Sequence, residues 1–233
     1  MPRRIPVATF HQLGKVYHAK MLTPATTKAL LRPYITELGY LAAAWNQLQH
    51  NLSSLFTLLV AGGKDPIGQA VWHAAESDFV QRKMLRAFVE VDQSLLFTQR
   101  ALLAQQAKEI LWILDQIDGN LRHKRNNAIH APLMTITGVW DGAVRHRVEA
   151  HFNPHNPRAK PLRGKNLRDE FKDYAAHANM LSAYAVRIWQ ALHDPEHAPW
   201  PNRPSVPQAH KKKRTLHQGK RRRPPSPPEA SQA

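Results

Sequence analysis

The sequence predicts an all-α protein: an antiparallel bundle of about four long helices. A β-hairpin is inserted between the third and fourth, and a disordered basic tail closes the chain. Three observations predict it. Apolar residues recur every three or four positions through long stretches, which is the core-facing seam of an amphipathic helix. Between the last two such stretches the period changes to two around Asp141-Gly142, a pair that favours a tight two-residue turn. Beyond Pro199, proline, lysine and arginine dominate and apolar residues nearly vanish.

Residues 1–32 carry Pro2, Pro6 and Pro24 with little periodicity, so an irregular arm is expected there. The first helix is expected over Thr36 to Val60, where Leu38, Leu41, Trp45, Leu48, Leu52, Leu55 and Leu59 form one seam. Gly62-Gly63 ends it, since a helix terminus favours positive φ. Asp65-Pro66 opens the second, with Asp as cap and Pro in the first helical position. Its apolar face (Val71 or Trp72, Ala75, Phe79, Met84 or Leu85, Phe88) is less regular and runs to about Val91.

Asp92 or Ser94 caps the third helix, whose seam is Leu103, Ala107, Ile110, Leu114, Ile117 and Leu121. Gly119-Asn120 weakens its last turn. The hairpin occupies 133–152, with Met134–Trp140 and Val144–Phe152 as its strands. A Pro-rich loop covers 153–164. The fourth helix runs from Asn166 to Leu192 on Leu167, Phe171, Tyr174, Ala178, Leu181, Ala185, Ile188 and Leu192, and Pro195 stops it. Short connections between long amphipathic segments favour an antiparallel bundle over 33–198, leaving 199–233 as tail.

The chain has 233 residues and 42% hydrophobic composition, enough for one sizeable core. It has no cysteine, which excludes disulfides and thiolate zinc sites. No apolar run follows the charged N-terminus, and the most apolar window, 52–61, is too short to span a bilayer. A cytoplasmic protein without membrane partners is the expectation. The formal charge is +16, of which +8 falls between Pro201 and Ala233. Such a balance favours a polyanion partner, and equally suits a chain kept soluble by charge.

The densest functional stretch is Arg122-His123-Lys124-Arg125-Asn126-Asn127-Ala128-Ile129-His130-Ala131-Pro132, expected where the third helix gives way to a loop. Arg125-Asn126 followed by His130 resembles the Arg-polar-x-x-x-His signature of HEPN domains, helical bundles that include metal-independent ribonucleases. The resemblance implies that Arg125 offsets phosphate charge, His130 transfers a proton and Asn126 orients the site. It implies an RNA substrate, no cofactor, and a homodimer in which two motifs face each other. It also implies toxin or defence roles, in which an antitoxin or other protein partner would take part.

The chemistry suits those residue types. RNA is cut without metal when a base takes the 2′-hydroxyl proton and an acid serves the leaving oxygen. Imidazole titrates near neutrality, and guanidinium stays charged and forks onto two oxygens. Another account remains open: cations in a helix's last turn complement its negative end, and His130 precedes Ala131-Pro132, where helices stop. A straight helix would also place residues five apart about 140° around the axis. Convergence of Arg125 with His130 then needs a broken turn or a second subunit.

Arg122 and Lys124 beside the motif are candidate nucleic-acid contacts. So are the tail clusters Lys211-Lys212-Lys213-Arg214 and Lys220-Arg221-Arg222-Arg223. Trp45, Trp72, Trp112 and Trp189 fall in helical segments and read as core; Trp45, with Asn46 and Gln49, is a candidate to line the bundle near the motif. His146, His151 and His155 match no standard zinc spacing, so no metal is expected. Gly62-Gly63-Lys64 lacks the first glycine of a phosphate loop, and Asp65 stands where Ser or Thr is needed. Two functions follow: a HEPN-like metal-independent endoribonuclease, or a non-catalytic helical module of the same shape that binds protein or nucleic acid.

Overall fold

The computed structural model describes residues 7–12, 15–62, 66–91, 104–151 and 157–206. Helix dominates, and six α-helices and two separate two-stranded antiparallel sheets are present among the described residues. The first sheet pairs β1 (Val7–Gln12) with β2 (Lys15–Lys20). Within the expected irregular arm, the described residues therefore hold two paired strands and, from Pro24, helix.

Helix α1 spans Pro24–Ala61, starting well before Thr36. Thr23 caps it by accepting from the Thr26 amide at 3.2 Å, and Pro24 takes the first position, where no amide is needed. Pro33 lies inside the helix. An interior proline costs about 3 kcal/mol and reads as a break, which hid the true start. The chain carries on because Tyr34 and Leu38 pack against the core. The predicted seam holds: Leu41, Leu48, Leu52 and Leu55 are fully buried, with Trp45 and Leu59 nearly so. Gly62 closes the helix at φ 66°.

The expected second helix is two. Helix α2 (Pro66–Ala74) buries Trp72 and leaves Val71 exposed. Asp65 lies outside the described residues. Ser77 then caps α3 (Asp78–Glu90), accepting from the Val80 amide at 3.3 Å. A hydroxyl offered to the backbone starts a new helix more readily than it continues an old one. Gln81 Nε2 donates to the Trp72 carbonyl at 3.1 Å, satisfying an acceptor near the end of α2.

Helix α4 is described over Ala104–Gln116 and buries Ile110, Ile113 and Leu114. Gly119-Asn120 does not end it. The backbone widens into a π-helical turn, Ile117–Leu121, and continues as α5, Arg122–His130. The motif thus lies on a helix, not at the start of a loop. Ala131-Pro132 stops it, with the Ala131 amide closing on Asn127 O at 3.0 Å.

The second hairpin lies where predicted, but each strand starts a residue earlier and the second stops at Ala150; Phe152 lies outside the described residues. β3 (Leu133–Trp140) pairs with β4 (Ala143–Ala150) in the register Trp140↔Ala143 to Leu133↔Ala150. Asp141 and Gly142 both have positive φ, 51° and 73°, the geometry of a type I′ turn. A 3₁₀ turn (Pro157–Leu162) leads to α6 (Leu167–His193), whose predicted seam is buried up to Ile188, with Leu192 at its edge. Helices α1 and α6 share the largest interface. Trp45 and Trp72 are buried in the core, and Trp112 and Trp189 pack against it.

Residues 199–206, expected as the start of the tail, hold to the fold. Trp200 packs on the core, and Arg203 reaches back to Glu109 of α4. Its Nε and Nη2 each donate to a carboxylate oxygen at 2.8 Å. Residues 207–233, with both basic clusters, lie outside the described residues. No helix among the described residues is long and apolar enough to cross a membrane.

Candidate functional site

The candidate site is built on α5 and the two helices behind it. Arg122 and Arg125 are one turn apart and share a side of α5. The Arg122 guanidinium lies over the Phe79 ring of α3, 4.4 Å from its centroid. The Arg125 guanidinium lies over the Trp45 ring of α1 at 5.3 Å. Arg125 Nη1 donates to Asn126 Oδ1 at 2.9 Å. Both arginines are half-buried, and the Nε of each is enclosed without a hydrogen-bond partner.

Behind them sits Arg82 of α3, fully buried. Its Nε donates to Asp118 Oδ1 at 3.0 Å, and Nη1 donates to Gln49 Oε1 at 3.3 Å. Nη2 lies 2.9 Å from Asp118 Oδ1, an ion pair without hydrogen-bond alignment. Asp78 lies 3.8 Å from Nη1 and accepts from Trp45 Nε1 at 2.9 Å. Trp45 therefore meets two cations, since the Arg82 guanidinium is 5.4 Å from the centroid of the same ring. The π turn is what brings Asp118 to Arg82 while keeping Ile117 and Leu121 in the core. Burial lowers the Arg82 pKa, and nearby Arg122 adds to that; Asp118 and Asp78 oppose it. A guanidinium stays charged regardless.

Lys124 does not join this group. It faces α6, 5.6 Å from the Tyr174 ring centroid. Burial lowers its pKa, partly offset by Glu170. Buried His177, also on α6, has its pKa lowered by burial and by Lys124. Tyr174 donates a short hydrogen bond to Glu170; burial and that bond push the phenol far above its ordinary value. His130 is exposed at the end of α5. The irregular turn that convergence of Arg125 and His130 would need does exist, but it lies upstream of Arg125. The two remain on one regular helix, about 140° apart.

Three of the five motif-region candidates, Arg122, Arg125 and Asn126, are thus brought together. Lys124 and His130 are placed elsewhere on α5. Trp45 and Gln49 line the site as anticipated, while Asn46 is exposed. Phe79, Asp78, Arg82 and Asp118 escaped sequence reasoning. A signal for Arg82 was present: it occupies the seam position between Phe79 and Leu85, which made that apolar face look irregular. His146 pairs with Thr137 across the hairpin at 2.8 Å, and His155 lies outside the described residues. No protein-family model, curated protein or solved structure matches the chain.

Proposed function

We propose that the protein is a HEPN-like, metal-independent endoribonuclease whose working site pairs the α5 helices of two copies. The observation that supports it is the Arg125–Asn126 hydrogen bond, with Arg125 backed by Trp45. The polar residue after the arginine orients the guanidinium, as the resemblance implies for Asn126. One chain holds Arg125 and His130 on different sides of α5, so the reading places His130 of one copy against Arg125 of the other. Guanidinium then neutralises the phosphorane-like charge while imidazole moves the proton.

Purified protein should cut single-stranded RNA in EDTA, leave a 2′,3′-cyclic phosphate and spare DNA. His130→Ala should slow cleavage by roughly 10²–10⁴-fold. Arg125→Lys should not restore what Arg125→Ala loses, since an ammonium cannot fork. Mixing the Arg125→Ala and His130→Ala proteins should recover part of the activity, because one of the two shared sites is then intact. Undiminished cleavage by His130→Ala sinks the proposal.

A second reading has its own support in the 140° separation: α5 is a binding helix of a non-catalytic module. RNA or protein binding with no cleavage would decide for it.

A further inference from the structure

We propose that Trp45 and Phe79 are positioning residues that present Arg125 and Arg122 as a paired guanidinium clamp for two successive phosphates of one RNA strand. The ligand's identity rests on the RNA reading above; the clamp itself rests on three observations.

The first is spacing. Side chains three apart on a helix have Cβ atoms roughly 5–6 Å apart, so the pair can hold neighbouring phosphates without bending the strand. The second is how each guanidinium is held. Each lies over a ring from a different helix, and each Nε is enclosed without a partner. Asn126 takes one bond from Arg125 Nη1; the other Nη donors are left to meet a ligand, and they can fork onto phosphate oxygens. An aromatic backing removes rotamer freedom before the ligand arrives, so less is lost on binding.

The third is charge. Among the described residues neither Arg122 nor Arg125 has a carboxylate partner. Asp78 and Asp118 are turned to Arg82 instead. Lys83 adds a further cation over the Phe79 ring, at 4.7 Å. Half-buried cations without counter-charge are costly, and a phosphodiester supplies the missing anions. Asp78 completes the device by holding the Trp45 indole from its edge.

The test is the salt dependence of binding to a short 2′-O-methyl RNA, which cannot be cleaved, using the full chain. Each phosphate contact contributes about 0.7 to the slope of log affinity against log salt for single strands. Arg122→Gln should lower the slope by about 0.7, and the double variant with Arg125→Gln by about 1.4. Phe79→Leu should weaken binding roughly two- to fivefold, and Phe79→Tyr should restore it, because only the ring holds the cation. An unchanged slope in Arg122→Gln, equal binding by the Leu and Tyr variants, or no binding by the unmutated protein overturns the clamp. Cleavage with an unchanged slope removes the clamp alone. Binding with the predicted slopes but no cleavage removes the nuclease alone.

Discussion

Among the described residues two charged side chains are buried, Arg82 and Glu109, and they are treated in opposite ways. Glu109 is 5% exposed and accepts from four donors: Arg203 twice, Tyr184 at 2.8 Å and Gln105 at 2.9 Å. One cation answers one anion. The Arg203 fork, ahead of the Tyr184 and Gln105 bonds, holds the carboxyl below its usual range, against burial. Arg82 also has a lowered pKa, but for a guanidinium that means its charged form is disfavoured, chiefly by burial. Its carboxylates are partly exposed, and two more cations stand nearby: Arg122, and Arg125 on the same Trp45 ring. The first cluster closes a structure. The second leaves positive charge uncompensated, as a binding site for an anion requires.

The sharpest way to break the contrast is Arg82→Ala. It strands Asp118 and empties a packed position, and should cost roughly 3–5 kcal/mol in denaturant unfolding. A loss below about 1 kcal/mol would show that Arg82 is not the keystone of α3 against the π turn. Arg203→Ala should cost less, about 2 kcal/mol, because Arg203 is partly solvated and Tyr184 and Gln105 still serve Glu109. Arg82→Met refills the space but leaves Asp118, partly exposed, without its cation, so it should cost no more than Arg203→Ala, about 2 kcal/mol. It should also weaken the proposed RNA binding by loosening Trp45. Unaltered binding would separate the two layers of the site.

A pH series sharpens the Glu109 side. A depressed carboxyl stabilises the fold above its unfolded value, about 4.3, and that contribution is lost as pH falls through the lower folded value. The stability gap between the unmutated protein and Arg203→Ala should therefore shrink below about pH 4. A gap that persists into acid would assign Arg203 a packing role over Trp112, whose ring centroid is 5.0 Å from its guanidinium.

The same pair marks what can be read from the chain. Seams made only of Leu, Ile, Ala and aromatics, as in α1, α4 and α6, declare themselves by period, and Asp141-Gly142 declares its turn. Arg82 interrupts a seam, so a buried cation passed for irregularity. Arg203 sits among prolines and charges, and composition alone assigned it to a tail. Its fork onto Glu109 spans 94 positions, a distance no local pattern reports. Pro33 and Ser77 are mirror cases: a proline has the character of a break and is spanned by α1, and a serine within an apolar-periodic stretch starts α3. The motif residues were legible as a group, but which of them face Trp45 depends on a turn whose width the sequence does not spell out.

That turn makes α4 and α5 one rod read in two frames. An ordinary helix advances about 100° per residue, and the π turn absorbs one residue's worth of rotation between the Ile110–Ile117 seam and the Leu121–Ala128 seam. Nothing lies within 4 Å of where a Cβ at Gly119 would stand, so Gly119→Ala should fit without a clash. Removing the residue is a different matter. It would straighten the rod and swing Arg122 and Arg125 about a quarter-turn away from Phe79 and Trp45. The site is thus tolerant of what Gly119 is and intolerant of its absence. It is tuned by length, like a vernier, and not by chemistry at that position.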